Sequence, residues 1–250
     1  MLLGMLTPLT LLAVLAAAQF TPKQLEAARK DPGAFTIDES TVKIEVLGPA
    51  VSPAQVVPPM KDDDGLLILD KIINIGQKVW TIIEKNKPVV DVSNTYATAL
   101  PEGSRGWSRL EGWSAPRGVV YGMTAKNAYG QTVLNVRWQV VRTFGGRLDG
   151  KGRYLTAVTV EPLLVEVLWG YHFSLSAEVP DTSIVNAGTK DDPVAAMTPT
   201  LKWQVKTAIK DSQGKAVYYI RGDGAFQEIG GPFARGFENA ASKANAMIAF

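Results

Sequence analysis

His172 is the single histidine of this chain, and cysteine is absent. A Ser-His or Cys-His nucleophile pair would therefore have one base to draw on. The nearest hydroxyl in strand phase is Ser174, two positions on, and no glycine motif of the oxyanion type surrounds it. Strand phase also sets His172 opposite the apolar Phe173, towards solvent. The pattern argues against a catalytic histidine. Without thiols there are no disulfides, no thiolate chemistry and none of the common zinc sites.

Carboxylates give no stronger signal. Asp62, Asp63 and Asp64 could offer oxygens to calcium, but the ligand order of an EF-hand is missing. The same run suits the positive end of a helix dipole, with Asp64 as N-cap. Asp149 and Asp191-Asp192 are loop carboxylates without partner spacing. A two-carboxylate glycosidase site depends on separation in space, which spacing along the chain does not give. No catalytic residue, metal ligand or cofactor is assigned.

Two short stretches could bind something. Arg105, Trp107, Arg109 and Trp113 fall within one Gly- and Ser-rich loop. Arg and Trp together are enriched at binding hot spots, and Trp faces stack on sugars or cations. The alternative is that both indoles fold back and plug one end of the body. Arg221-Gly222-Asp223 contains the tripeptide read by integrin-type receptors, although a hairpin exit also favours Gly and Asp.

Composition narrows the classes of partner. The chain carries 26 Lys+Arg against 24 Asp+Glu, a net charge of +2, with no block of like charge to follow a phosphate backbone. Nucleic acid is therefore not an expected partner. Residues 1–18 read as a signal peptide: Leu9 to Ala17 is apolar, and Ala16-Ala17-Ala18 offers a small-residue cleavage site. No Lys or Arg precedes the apolar run, so an uncleaved anchor is the alternative. Without cysteine a bacterial lipoprotein anchor is not expected.

The elements that would position these residues are mostly strands. Thr132 to Phe144 sets Leu134, Val136, Trp138, Val140 and Phe144 on one side and Asn135, Arg137, Gln139 and Thr143 on the other. That period of two marks a half-buried strand. Arg117 to Lys126 alternates likewise and pairs with it as a hairpin through Asn127–Gly130. Further strands are expected over Thr41–Leu47, Val89–Val92, Tyr154–Trp169, Tyr171–Val179, Leu201–Ile209 and Ala216–Arg221. A phase change at Pro162 predicts a bulge or a crossing between sheets. Gly145–Gly152 reads as a flexible connection, Asp211–Gly214 as a turn, and Trp80, Trp138, Trp169 and Trp203 as core.

Two helices are expected early in the chain. Thr21 to Lys30 is short, with Thr21 as N-cap and Pro22 at its first position. Leu66 to Asn86 is longer: its apolar residues cover half the circumference at 100° per residue, and Pro88 ends it. It would pack on a sheet, or leave the body and contact a membrane. Glu238–Ala249 is a further helical candidate. The prolines of Gly48–Pro59 suggest an extended linker.

The expected fold is mainly β: an antiparallel β-sandwich with one long amphipathic helix packed on it and an extended N-terminal arm. The domain reading is 1–18 signal peptide, 19–60 Pro-rich arm, 61–250 helix plus sandwich. A closed membrane barrel, which the terminal Phe250 resembles, is the rival; too few strands are visible for it. The expected function is a non-enzymatic, exported interaction or assembly component of the periplasm or cell surface, with a protein partner or self-association. The alternatives are a membrane-active protein using 66–86, similar in layout alone to pore-forming cytolysins such as actinoporins, and a carbohydrate-binding module.

Overall fold

A computed structural model describes residues 19–50, 67–89, 95–104 and 109–230. The expected signal peptide, most of the Pro-rich stretch, the aspartate run and the candidate helix 238–249 lie outside the described residues.

The described chain is mainly β, with antiparallel sheets and one α-helix. That helix, α1 (Pro22–Lys30), starts as its sequence dictates. Thr21 accepts from Gln24 N at 3.3 Å, and Gln24 Oε1 accepts from Thr21 N at 2.8 Å, a reciprocal capping box. A 3-10 turn (Pro32–Phe35) then leads into β1 (Ile37–Pro49).

Six strands form the first sheet. β1 is followed by β2 (Ile68–Ile73), β5 (Ala97–Glu102), β6 (Arg117–Asn127), β7 (Thr132–Leu148) and β8 (Lys151–Val167), in the order β1-β6-β7-β8-β5-β2. The second sheet holds β3 (Val79–Glu84), β4 (Lys87–Pro88), β9 (His172–Glu178), β10 (Val185–Asn186), β11 (Ala195–Met197), β12 (Thr200–Lys206) and β13 (Asp211–Arg221), with β14 (Phe226–Gly230) added to β13. One buried cluster joins both sheets. At its centre Tyr121 of β6 meets Tyr218 of β13 edge-on, 5.4 Å between centroids, and stacks on Trp138 at 6.0 Å.

The first sheet does not lie flat, as the layers of a simple sandwich would; it curls into a half-barrel. Its β7–β8 ladder breaks register four times, between Arg137/Trp138, Val141/Thr143, Phe144/Gly146 and Gly146/Leu148. Each extra residue bends its strand and raises the local twist. One break confirms the Pro162 phase change: Arg137 pairs with Leu164 and Trp138 with Pro162, leaving Leu163 unpaired in the ladder. At Ala157 the backbone is left-handed, with φ of 49°.

Several expectations are corrected. The helix over 66–86 does not exist: the stretch forms β2 and β3. Its apolar residues are chiefly β-branched, and β3 buries Trp80 and Ile82 while exposing Val79 and Thr81. Gly76 divides the two strands, where a Cβ would collide with the Tyr96 carbonyl. Lys85 and Asn86, with φ of 45° and 72°, make the tight turn from β3 into β4. The layout shared with pore-forming cytolysins falls with the helix. Gly145–Gly152 is no flexible link: β7 runs to Leu148, and Asp149-Gly150 turns directly into β8. The turn placed at Asp211–Gly214 lies at 207–210 instead, where Thr207 Oγ1 accepts from Ile209 N and Lys210 N. Trp169 is 52% exposed, because β8 ends at Val167 and the indole sits in the turn beyond.

Residues 19–50 pack on the same body. β1 pairs with β6 from Ile37↔Asn127 to Pro49↔Val119. Tyr171 Oη donates to Ala34 O at 2.7 Å, and Tyr129 Oη to Asp31 Oδ1 at 2.7 Å. Among the described residues no helix is long and apolar enough to cross a membrane.

Candidate functional site

Arg105 and Trp107 lie outside the described residues. The described part of that loop is anchored. Glu111 and Arg147 exchange backbone hydrogen bonds at 2.9 and 2.8 Å, and Ser114 N donates to Phe144 O at 2.8 Å. Trp113 is half-buried and lies over Gly146, where any Cβ would collide with its indole. Arg109 is exposed. The described part of the loop thus closes over β7 at Phe144–Arg147, beside the turn into β8.

That closure creates a cleft of about 330 Å³. Ser114, Phe144, Arg147, Arg153 and Asp223 line it, with Gly112, Gly145 and Gly222 between them. The Arg-Gly-Asp stretch contributes its lip. Arg221 Nη2 and Asp223 Oδ2 are 2.6 Å apart, so the two charges of the tripeptide pair with each other. Gly222 is buried and donates to Ala195 O at 2.7 Å; a Cβ on it would strike the Arg153 carbonyl.

Behind Phe144 stands a group that no motif announced. Arg142 is 2% exposed, directly opposite Arg117 in the β6–β7 register. Its guanidinium lies 4.6 Å from the Phe226 ring centroid and 5.9 Å from that of Phe144, while Arg117 sits 5.3 Å from the Phe144 ring. Arg142 Nη2 donates to Gly224 O at 3.4 Å, but its Nε and Nη1 have no hydrogen-bond partner among the described residues. Burial lowers its pKa to about 10, so it stays cationic at neutral pH. The aromatic faces offset part of that desolvation. Strand phase makes this position core-facing, and among the described residues no carboxylate hydrogen-bonds to its guanidinium.

A second buried ionisable group lies on β14. Glu228 is 4% exposed, opposite Tyr218 in register, and both its oxygens lack a partner among the described residues. Burial raises its pKa to about 7.

His172 is not fully solvated. Phe20 stacks on it, and burial together with the charge of Lys85 lowers its pKa. Ser174 lies on the outer face of β9, its Oγ accepting from Lys85 N at 3.3 Å. That face carries a shallow groove of about 690 Å³ bordered by Thr81, Ser174, Ser176, Gln204, Gln213 and Lys215. No group of three or more potential metal ligands occurs among the described residues.

The remaining feature is an edge. β5 pairs with β8 at Leu155 and Val158, and among the described residues no strand pairs with that side of β8 beyond Val158. β7 covers the other side as far as Val167. Leu168 N donates to Val133 O at 2.9 Å, so by alternation the N–H groups of Val167 and Val165 point away from β7. Leu163, Leu168 and Trp169, exposed by 50%, 37% and 52%, flank this edge.

No family model, no curated protein and no solved structure matches this chain.

Proposed function

We propose that the chain is an exported, non-enzymatic interaction or assembly component of the periplasm or cell surface. Its two sheets are read as the layers of a sandwich, one of them rolled. The carrying observation is the outer edge of β8 after Val158, with outward N–H groups and exposed Leu163, Leu168 and Trp169. Among the described residues this edge is unpaired, and such an edge is a template for a further strand, whose backbone supplies affinity while apolar side chains supply contact. Export is supported by the apolar Leu9–Ala17 run and the Ala16-Ala17-Ala18 site at its end. A net charge of +2 offers little resistance to self-approach.

Sedimentation across a concentration series, with crosslinking in the native compartment, tests this reading. The parent is expected to associate with itself or an exported partner. Leu163→Lys/Leu168→Lys, which places charge on the edge, is expected to weaken association at least about tenfold. A parent that stays monomeric and captures nothing, or a variant that associates equally well, removes the proposal.

A glycan-binding reading rests on the outer face of the second sheet, where hydroxyls and amides of Ser174, Ser176, Gln204 and Gln213 line one groove. A glycan array comparing the parent with Gln204→Ala tests it; no binding, or binding indifferent to the change, ends it.

A further inference from the structure

We infer that the cleft between the Gly112–Ser114 turn and the Arg221–Gly224 turn is a binding site for an oxyanion group: carboxylate, sulfate or phosphate. It lies apart from the β8 edge and does not depend on it.

Charge is the first argument. Arg147 is exposed on the cleft wall, with no carboxylate within ion-pair distance among the described residues. Arg153 faces the same space and, among the described residues, has only Asp192 as an ion-pair partner, at 3.8 Å. Asp223 also lines the cleft, but Arg221 pairs with it. Arg117 and Arg142 hold their charges against the Phe144 ring, which is part of the cleft lining. The local field is therefore positive even though the whole chain is nearly neutral.

Shape is the second argument. Gly112, Gly145 and Gly222 bring backbone to the cleft with no side chain in between. Gly112 and Gly145 have φ of 73° and 87°, a backbone that L residues with side chains rarely adopt. Guanidinium forks meet planar or tetrahedral oxyanions two N–H groups at a time, as lysine does not.

The third argument is Arg142. A buried cation with no carboxylate partner is unfavourable unless something offsets it. Two aromatic faces and one carbonyl do so in part. An anion in the neighbouring cleft, across the Phe144 ring, would reduce the remaining cost and gain affinity in return.

Amide-resolved NMR of the full chain tests this, with inorganic phosphate, inorganic sulfate and acetate titrated separately at ionic strength held constant with chloride. The expected result is a saturable shift of the Gly112, Gly145 and Gly222 amides for at least one anion. The order of affinities then tells carboxylate from tetrahedral ligands. Arg147→Gln, an exposed position, is expected to weaken binding about tenfold, and Arg147→Gln/Arg153→Gln further. Lys202→Gln/Lys215→Gln, on the second sheet, should leave it unchanged. Absence of saturation with all three anions, an equal response to chloride alone, or unaltered affinity in the arginine variants overturns the inference.

Discussion

Phe20 and His172 stack with centroids 4.6 Å apart and planes 11° from parallel. Phe20 is 5% exposed, so this contact fastens the start of the described chain to the outer face of β9. Phe20→Ala should cost about 2 kcal/mol, the burial value of one phenyl side chain. Hydrogen exchange of the α1 amides should report the loss first.

The same contact responds to pH. His172 has an ordinary pKa of 6.5, lowered on folding by burial and then by Lys85. The unfolded chain thus binds the proton more readily than the folded one. Stability from the neutral ring is present above pH 6.5 and is lost as pH falls below it. Protection of α1 should fall between pH 7 and pH 5, and His172→Phe should flatten that dependence. A parent profile without slope in that window would contradict the stacking geometry.

Glu228 has the opposite sign. Its pKa rises from 4.5 to about 7 on burial. The folded state therefore holds the proton more tightly, and stability declines as pH rises between those values. Glu228→Gln keeps the shape and removes the ionisation. Chemical denaturation should show it up to about 3 kcal/mol more stable than the parent at pH 8, with the gap closing towards pH 4.

Two glycine exchanges should act in opposite directions. Ala157→Gly relieves a left-handed alanine at φ of 49° and should stabilise by about 1 kcal/mol. Gly76→Ala drives a methyl into the Tyr96 carbonyl and should destabilise by about 2 kcal/mol. Thermal denaturation of both variants checks the β8 bulge and the turn between β2 and β3.

The sequence showed the strands best where alternation was long and faced a single core. Leu134 to Trp138 and its hairpin partner were legible for that reason, as was the bulge at Pro162, since proline cannot hold the ladder; Gln139 and Thr143, expected on the polar side, are instead 4% and 5% exposed, because both faces of β7 are covered there. Thr21 and Pro22 marked the start of α1, while the part Gln24 plays in its cap came only with the structure. The stretch 66–86 was not legible: Ile72, Ile73, Ile82 and Ile83 satisfy a helical stripe as well as two short strands, and Gly76 was the cue that β-branched residues would win. Gly145 and Gly152 looked like a linker because glycine serves bulges and loops alike. Of the cleft, the Arg/Trp loop supplies Gly112 and Ser114, while Arg109 and Trp113, the described residues singled out in it, are not in the lining. Gly222 and Asp223 stood out only as a tripeptide, and Arg147 and Arg153 approach them through tertiary folding. Arg142 stayed hidden because its neighbours, not its own type, make it unusual.

The 2.6 Å contact between Arg221 and Asp223 changes what their tripeptide can offer. An adhesion receptor that grips acid and base at once would first have to prise them apart. It would also find the middle residue pressed against the main chain of Arg153, leaving no room to extend the loop. The three letters spell a docking word, yet the fold uses them as an internal clasp.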